Sequence, residues 1–212
     1  MAQLRVIRHG QASFGAANYD VLSDLGHAQA QALSGWLRDT GWHPDRVVIG
    51  TMQRHAETLA SMGLEGAETH AGFNEYDFAD LLHARYKGDV PELVKGDRKT
   101  HFRTLRETVL MWQRDELDCV AETWADFTTR VEDARDFACR GKGQVLVVSS
   151  GGVIGQLTAR ALEAPAAMMM ELNLQVKNAS ISDYVFSGDR FFLQTFNAAP
   201  HLDAAPDLLS YS

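Results

Sequence analysis

The segment Gln144 to Ser149, QVLVVS, constrains the fold most tightly. Its apolar run Val145 to Val148 is bounded by Gly141-Lys142-Gly143 before it and Gly151-Gly152 after it. A short strand that is apolar without alternation is buried on both faces, so it belongs at the centre of a sheet with helices on each side. The earlier chain fits that demand. Gln3 to His9 reads as a strand and hands over to a helix across Ser23 to Arg38, with Ser23 as N-cap and Leu25, Ala28, Ala32, Leu33, Trp36 and Leu37 near helical spacing. Arg46 to Gly50 and Met52 to Met62 repeat the strand-to-helix unit, with Thr51 at the cap position. This alternation predicts an α/β fold.

From about Ala71 to Gly96 the pattern loosens, and glycine, proline and aromatic residues predict a loop-rich segment with short helical pieces. Arg85, Tyr86 and Lys87 are possible entrance contacts there, although solvated loop residues explain them equally. Helices are expected near Lys99 to Asp118 and Glu122 to Arg140, carrying Leu105, Val109, Trp112, Phe127, Val131 and Phe137 on their apolar sides. Gly151-Gly152 opens another helix to about Glu163, the Met168 to Met170 run reads as core filler, and Ser180 to Phe186 and Arg190 to Phe196 form a hairpin across Ser187-Gly188-Asp189. No repeat or linker divides the chain, so residues 1–212 are expected to form one domain with a helical and loop-rich insertion at about 71–140.

The formal net charge is −8, from 20 Lys and Arg against 28 Asp and Glu, which repels nucleic acid and anionic lipid and favours a small-molecule partner. Cys119 and Cys139 fall in helix-like segments without a CxxC, and buried free thiols are expected. No charged-then-apolar leader and no bilayer-length apolar run occurs, so a cytoplasmic location without membrane attachment is expected. His27, His43, His55, His70, His83 and His101 lack paired ligand spacing, so neither a metal nor another cofactor is expected.

Arg8-His9-Gly10 ends the first strand, where open α/β sheets bind ligands. Arg54 falls three residues after Thr51, in the first turn of the second helix, and adjacent parallel strands would bring both arginines to one sheet edge. Two guanidiniums beside an imidazole suit a phosphoryl group, whose oxygens need rigid cationic donors and whose phosphorus needs a nucleophile. His9 fits the nucleophile, since a neutral imidazole attacks without prior deprotonation. Glu75, among apolar and aromatic neighbours in Phe73-Asn74-Glu75-Tyr76-Asp77-Phe78, fits the acid that serves a departing alkoxide, with Asp77 and Asp80 as competitors. The amides at Gly151 and Gly152 open a helix whose N-terminus favours an anion.

Arg8-His9-Gly10-Gln11, the stretch LSDLGHAQA from Leu22 to Ala30, Thr51-Met52-Gln53-Arg54, Phe73-Asn74-Glu75, Val147 to Gly152 and NAAPHL from Asn197 to Leu202 together resemble the histidine phosphatase superfamily, the phosphoglycerate mutase-like group. The resemblance runs in order from Leu4 to about His201 and implies a three-layer α/β/α sandwich with a mostly parallel central sheet. It further implies a phosphohistidine on His9, phosphate ligation by Arg8 and Arg54, and acid-base work by Glu75, while the Ser150 hydroxyl and the Gly151 amide at the strand end are expected to add phosphate contacts. In the family the strand-end motif usually reads Ser-His-Gly-Gly, and Ser150 stands where the second histidine is expected. Its hydroxyl can donate a hydrogen bond but supplies no imidazolium, and removing such a donor costs roughly 100- to 1000-fold in rate. His201 aligns with the ordinary closing segment and is not expected to replace it. The implied function is hydrolysis of a small phosphorylated metabolite. Phosphoglycerate mutase-type transfer, and a weakly active or inactive phosphoester-binding protein, are alternatives that use the same residues.

Overall fold

The computed structural model describes residues 2–13, 20–92, 94 and 98–211. The Gly96 end of the expected loop-rich segment lies outside the described residues. One sheet of six strands organises the chain: β1 (Ala2–Arg8), β2 (Arg46–Ile49), β3 (Glu68–Thr69), β4 (Gln144–Ser149), β5 (Ile181–Ser187) and β6 (Arg190–Ala198), in the order β3-β2-β4-β1-β5-β6. The pairs from β3 through β1 are parallel. β5 and β6 extend β1 antiparallel, as the hairpin pattern requires. β4 is central, with Val145 to Val148 buried. The outcome is a mixed sheet between two helical layers, an α/β/α sandwich.

Alternation along the strands divides the core into halves. Ile7, Ile49, Leu146 and Val148 face one side with Ala30, Leu33 and Leu37 of α1 (Asp24–Asp39) and Leu59 of α2 (Gln53–Ser61). Leu4, Val6, Val48, Val145 and Val147 face the other. Against them lie Leu81 of α3 (Phe78–Tyr86), Val109 and Trp112 of α4 (Arg98–Gln113), Phe127 and Val131 of α5 (Trp124–Ala138), Ile154 and Leu157 of α6 (Gly151–Ala161), and Met169 and Met170 of α7 (Ala167–Asn173). The methionine run is thus mainly core, with Met168 at its edge 41% exposed.

Ser23 caps α1 as expected, its hydroxyl accepting from Gly26 N at 3.1 Å. α2 begins differently. Its N-cap is Met52, without a side-chain bond, because Thr51 is held by Asn74: Thr51 N donates to Asn74 Oδ1 at 2.7 Å, and Asn74 Nδ2 donates to Thr51 Oγ1 at 2.7 Å. Cys119 also departs from expectation, lying exposed in the turn between α4 and α5 at φ +58°. Cys139 is half-buried at the end of α5, where burial pushes its thiol up to about 12. Among the described residues no helix is long and apolar enough to cross a membrane.

Candidate active site

Register brings the parallel strand ends level: Ile7 and Ile49 both stand opposite Val148. His9, Gly50 and Ser150 therefore leave the sheet on one edge, outside the carboxyl ends of the strands. His9 is 3% exposed and fixed by its backbone, which donates to Ser149 O at 2.9 Å and accepts from Ala179 N at 3.2 Å. Its Nδ1 lies 2.7 Å from Gly10 O. A carbonyl can only accept, so in the neutral ring Nδ1 carries the proton and the lone pair is on Nε2. Burial, followed by the charges of Arg54, Arg8 and His55, holds the ring well below the ordinary histidine range.

Both arginines are buried beside it. Arg8 donates through Nη1 to Val176 O, and a Cβ on Gly151 would stand 3.6 Å from its Cζ, so the opening residue of α6 lies against this guanidinium. Arg54 donates through Nη1 to Asp20 Oδ1 at 2.8 Å, while Asp20 Oδ2 accepts from Gln53 N at 2.8 Å. A carboxylate thus bridges a guanidinium and the amino end of α2, the kind of position that suits an anion.

Glu75 is carried across the strand ends by its neighbours. Ser149 Oγ donates to Phe73 O at 2.7 Å, the Asn74 clamp on Thr51 ties the segment to β2, and the Glu75 carboxylate accepts from Gly152 N at 3.1 and 3.0 Å. A Cβ on Gly152 would lie 2.3 Å from Glu75 Oε1 and 2.5 Å from Tyr76 Cε1, so this approach requires glycine. The competing acids have other tasks. Asp77 caps α3 by accepting from Asp80 N at 3.1 Å, and Asp80 accepts from Ala121 N at 2.8 Å. Arg85 is likewise engaged in joining α3 to α4, donating to Thr108 Oγ1 and Glu107 Oε2 at 2.8 Å each. Glu75 also lines a cavity of about 270 Å³, together with Tyr76, Asp77, Trp112, Glu122 and Arg130.

Ser150 and His55 form the feature that sequence reasoning missed. Ser150 is fully buried, and although it is the N-cap of α6 its hydroxyl does not cap the helix. That hydroxyl lies 2.8 Å from His55 Nε2. The His55 ring is itself fully buried, with its centroid 5.7 Å from that of His9. Burial and the Arg54 charge lower its pKa to about 3. Its available sequence signal was position: it follows Arg54 in the first turn of a helix leaving the same sheet edge. His201 stays elsewhere, buried in the 3₁₀ turn Pro200–Leu202 packed on α1, with burial lowering its pKa to about 4.

Comparison with known proteins agrees with this architecture. The model of the histidine phosphatase superfamily (branch 1) matches residues 4–199. A phosphoserine phosphatase from Entamoeba histolytica, solved with phosphoserine, superposes with TM-score 0.66 at 19% identity, covering 95% of this chain and 100% of that one. A mycobacterial glucosyl-3-phosphoglycerate phosphatase solved with inorganic phosphate gives TM-score 0.66 at 23% identity, covering 95% and 99%. The alpha-ribazole phosphatase from Shigella flexneri gives 0.66 at 24%, covering 93% and 96%. No curated protein sequence matches significantly. With the family model covering β1 from Leu4 and the other five strands whole, and every segment of the sheet edge falling inside the match, the chain belongs to the histidine phosphatase superfamily.

Proposed function

We propose that the protein hydrolyses a phosphomonoester of a small metabolite through a phosphohistidine on His9. The observation that carries this reading is the commitment of His9 Nδ1 to Gly10 O, which leaves a neutral Nε2 lone pair among buried guanidiniums. Arg8 and Arg54 grip the phosphoryl oxygens, with Ser150 and the Gly151 amide completing the cradle at the α6 terminus. His9 Nε2 attacks phosphorus and the ester P–O bond breaks. Glu75 donates its proton to the departing alkoxide, then as carboxylate takes a proton from the water that attacks the phosphohistidine. The P–N bond breaks, phosphate leaves, and both side chains return to their starting forms.

Low pKa at His9 supports this cycle, since the ring is already neutral at physiological pH. The structural neighbours named for phosphoserine, glucosyl-3-phosphoglycerate and alpha-ribazole phosphatases make a small phosphorylated substrate the natural class. We read residues 1–212 as one domain, because the candidate residues come from before, within and after the 71–140 segment. A panel of phosphorylated metabolites tests the proposal by phosphate release. Turnover lost in His9→Ala supports it, whereas isomerised product without net phosphate, or equal release by His9→Ala, contradicts it.

A further inference from the structure

Position 150 contributes a hydroxyl whose direction matters, and the structure supplies a group that sets it. Ser150 Oγ is withheld from the α6 backbone amides that an N-cap serine ordinarily serves. It meets His55 Nε2 at 2.8 Å, in a space where neither side chain is exposed. On its other side the His55 ring lies against Gly50, where a Cβ would come within 2.3 Å of Nδ1. A ring wedged between Gly50 and Ser150, 5.7 Å from His9 by centroids, has little freedom to turn away.

From this geometry, and resting on the phosphoryl-transfer reading above, we infer that His55 is a positioning residue of the phosphate pocket: through Ser150 it delivers an imidazole-backed hydroxyl to a phosphoryl oxygen. Without an anion His55 Nδ1 faces the Gly50 backbone, so the neutral ring's Nε2 accepts from the Ser150 hydroxyl. Once an anion's charge has protonated the ring, Nε2–H donates to Ser150 Oγ and the Ser150 proton turns toward the phosphoryl oxygen. Each bond polarises the next, so the hydroxyl becomes a stronger donor than serine alone. The negative charge of the ester also favours proton uptake by His55, which converts the backing group into an imidazolium. Because Oγ and Nε2 are in contact, positions 55 and 150 share one space. An imidazole growing from 150 fits only when that at 55 is removed.

The test is the affinity of the full-length protein for inorganic phosphate, measured by calorimetry for the native chain, His55→Ala, His55→Gln, Ser150→Ala, the double alanine variant, and His55→Ala combined with Ser150→His. Loss of a hydrogen bond to a charged group predicts about 10- to 100-fold weaker binding in each single alanine variant. The double alanine variant should lose little more than either single one, since the residues act as a unit. His55→Ala with Ser150→His should recover affinity to within about threefold of native, well inside the loss expected for one such bond. A purely structural role for His55 would instead make the two alanine losses multiply in the double variant. Unchanged affinity in His55→Ala and His55→Gln, multiplying losses in the double alanine variant, failed recovery, or no phosphate binding by the native chain each overturns the inference. Phosphohistidine formation by the native chain is followed separately, so phosphate binding that depends on His55 without any phosphoenzyme would sustain the inference while refuting the hydrolase.

Discussion

Replacing His55 by Gln should flatten the acid limb of the protein's stability. The ring is fully buried beside Arg54, and its pKa is about 3 in the native state against an ordinary 6.5. Between those values the unfolded chain binds a proton that the native chain refuses, so native stability falls as pH drops below about 6.5 and keeps falling to about pH 3. Each unit is worth about 1.4 kcal/mol, so at about pH 4.5 roughly 3 kcal/mol present at neutral pH has gone on account of this ring. That is a large share of the 5–15 kcal/mol typical of a domain. Glutamine does not titrate. Urea unfolding of the native protein and His55→Gln at about pH 7.5 and 4.5 isolates the effect, because carboxylates and His9 contribute equally to both proteins. The native chain should lose about 3 kcal/mol more than the variant between the two conditions. Losses equal within about 0.5 kcal/mol would show that His55 is not the buried neutral group described here.

Other perturbations follow from the same geometry. Gly152→Ala drives a methyl into Glu75 Oε1 and Tyr76 and should lower kcat at least tenfold, by displacing the proposed acid-base group, while phosphate affinity changes much less; an unaltered kcat would separate Glu75 from the chemistry. Arg8→Ala removes a buried guanidinium proposed to hold the phosphate and should cost about 100- to 1000-fold in kcat/KM, read from initial rates, and a loss below tenfold would exclude Arg8 from the pocket. Far from the site, Asp183 accepts from Arg5 Nε and Nη2 at 2.7 and 2.8 Å, with both side chains nearly buried. Asp183→Ala strands that guanidinium and should reduce unfolding free energy by about 3–5 kcal/mol without changing KM, as urea titration and kinetics will show.

The sheet was legible where residue patterns alone determine it. β4 announces itself by Val145 to Val148, and the edge holding His9 and Arg54 follows from parallel neighbours to a central strand. β3 left no signal, because two exposed residues, Glu68 and Thr69, carry no periodicity. The start of α2 was misplaced by one residue since Thr51 is an ordinary capping type, and only the fold brings Asn74 to claim it. Separating Glu75 from Asp77 and Asp80 likewise needed contacts: Gly152 for the first, helix capping and the Ala121 amide for the others. Ser150 read as a loss because its partner is 95 residues earlier in the chain, a distance across which spacing says nothing.

The proposed hydrolysis turns on a covalent phosphoryl group carried by His9. Brief exposure to a labelled phosphodonor, quenching without acid and peptide mapping should find the label on His9 in the native protein and none in His9→Ala. Equal labelling of the two proteins would contradict the account.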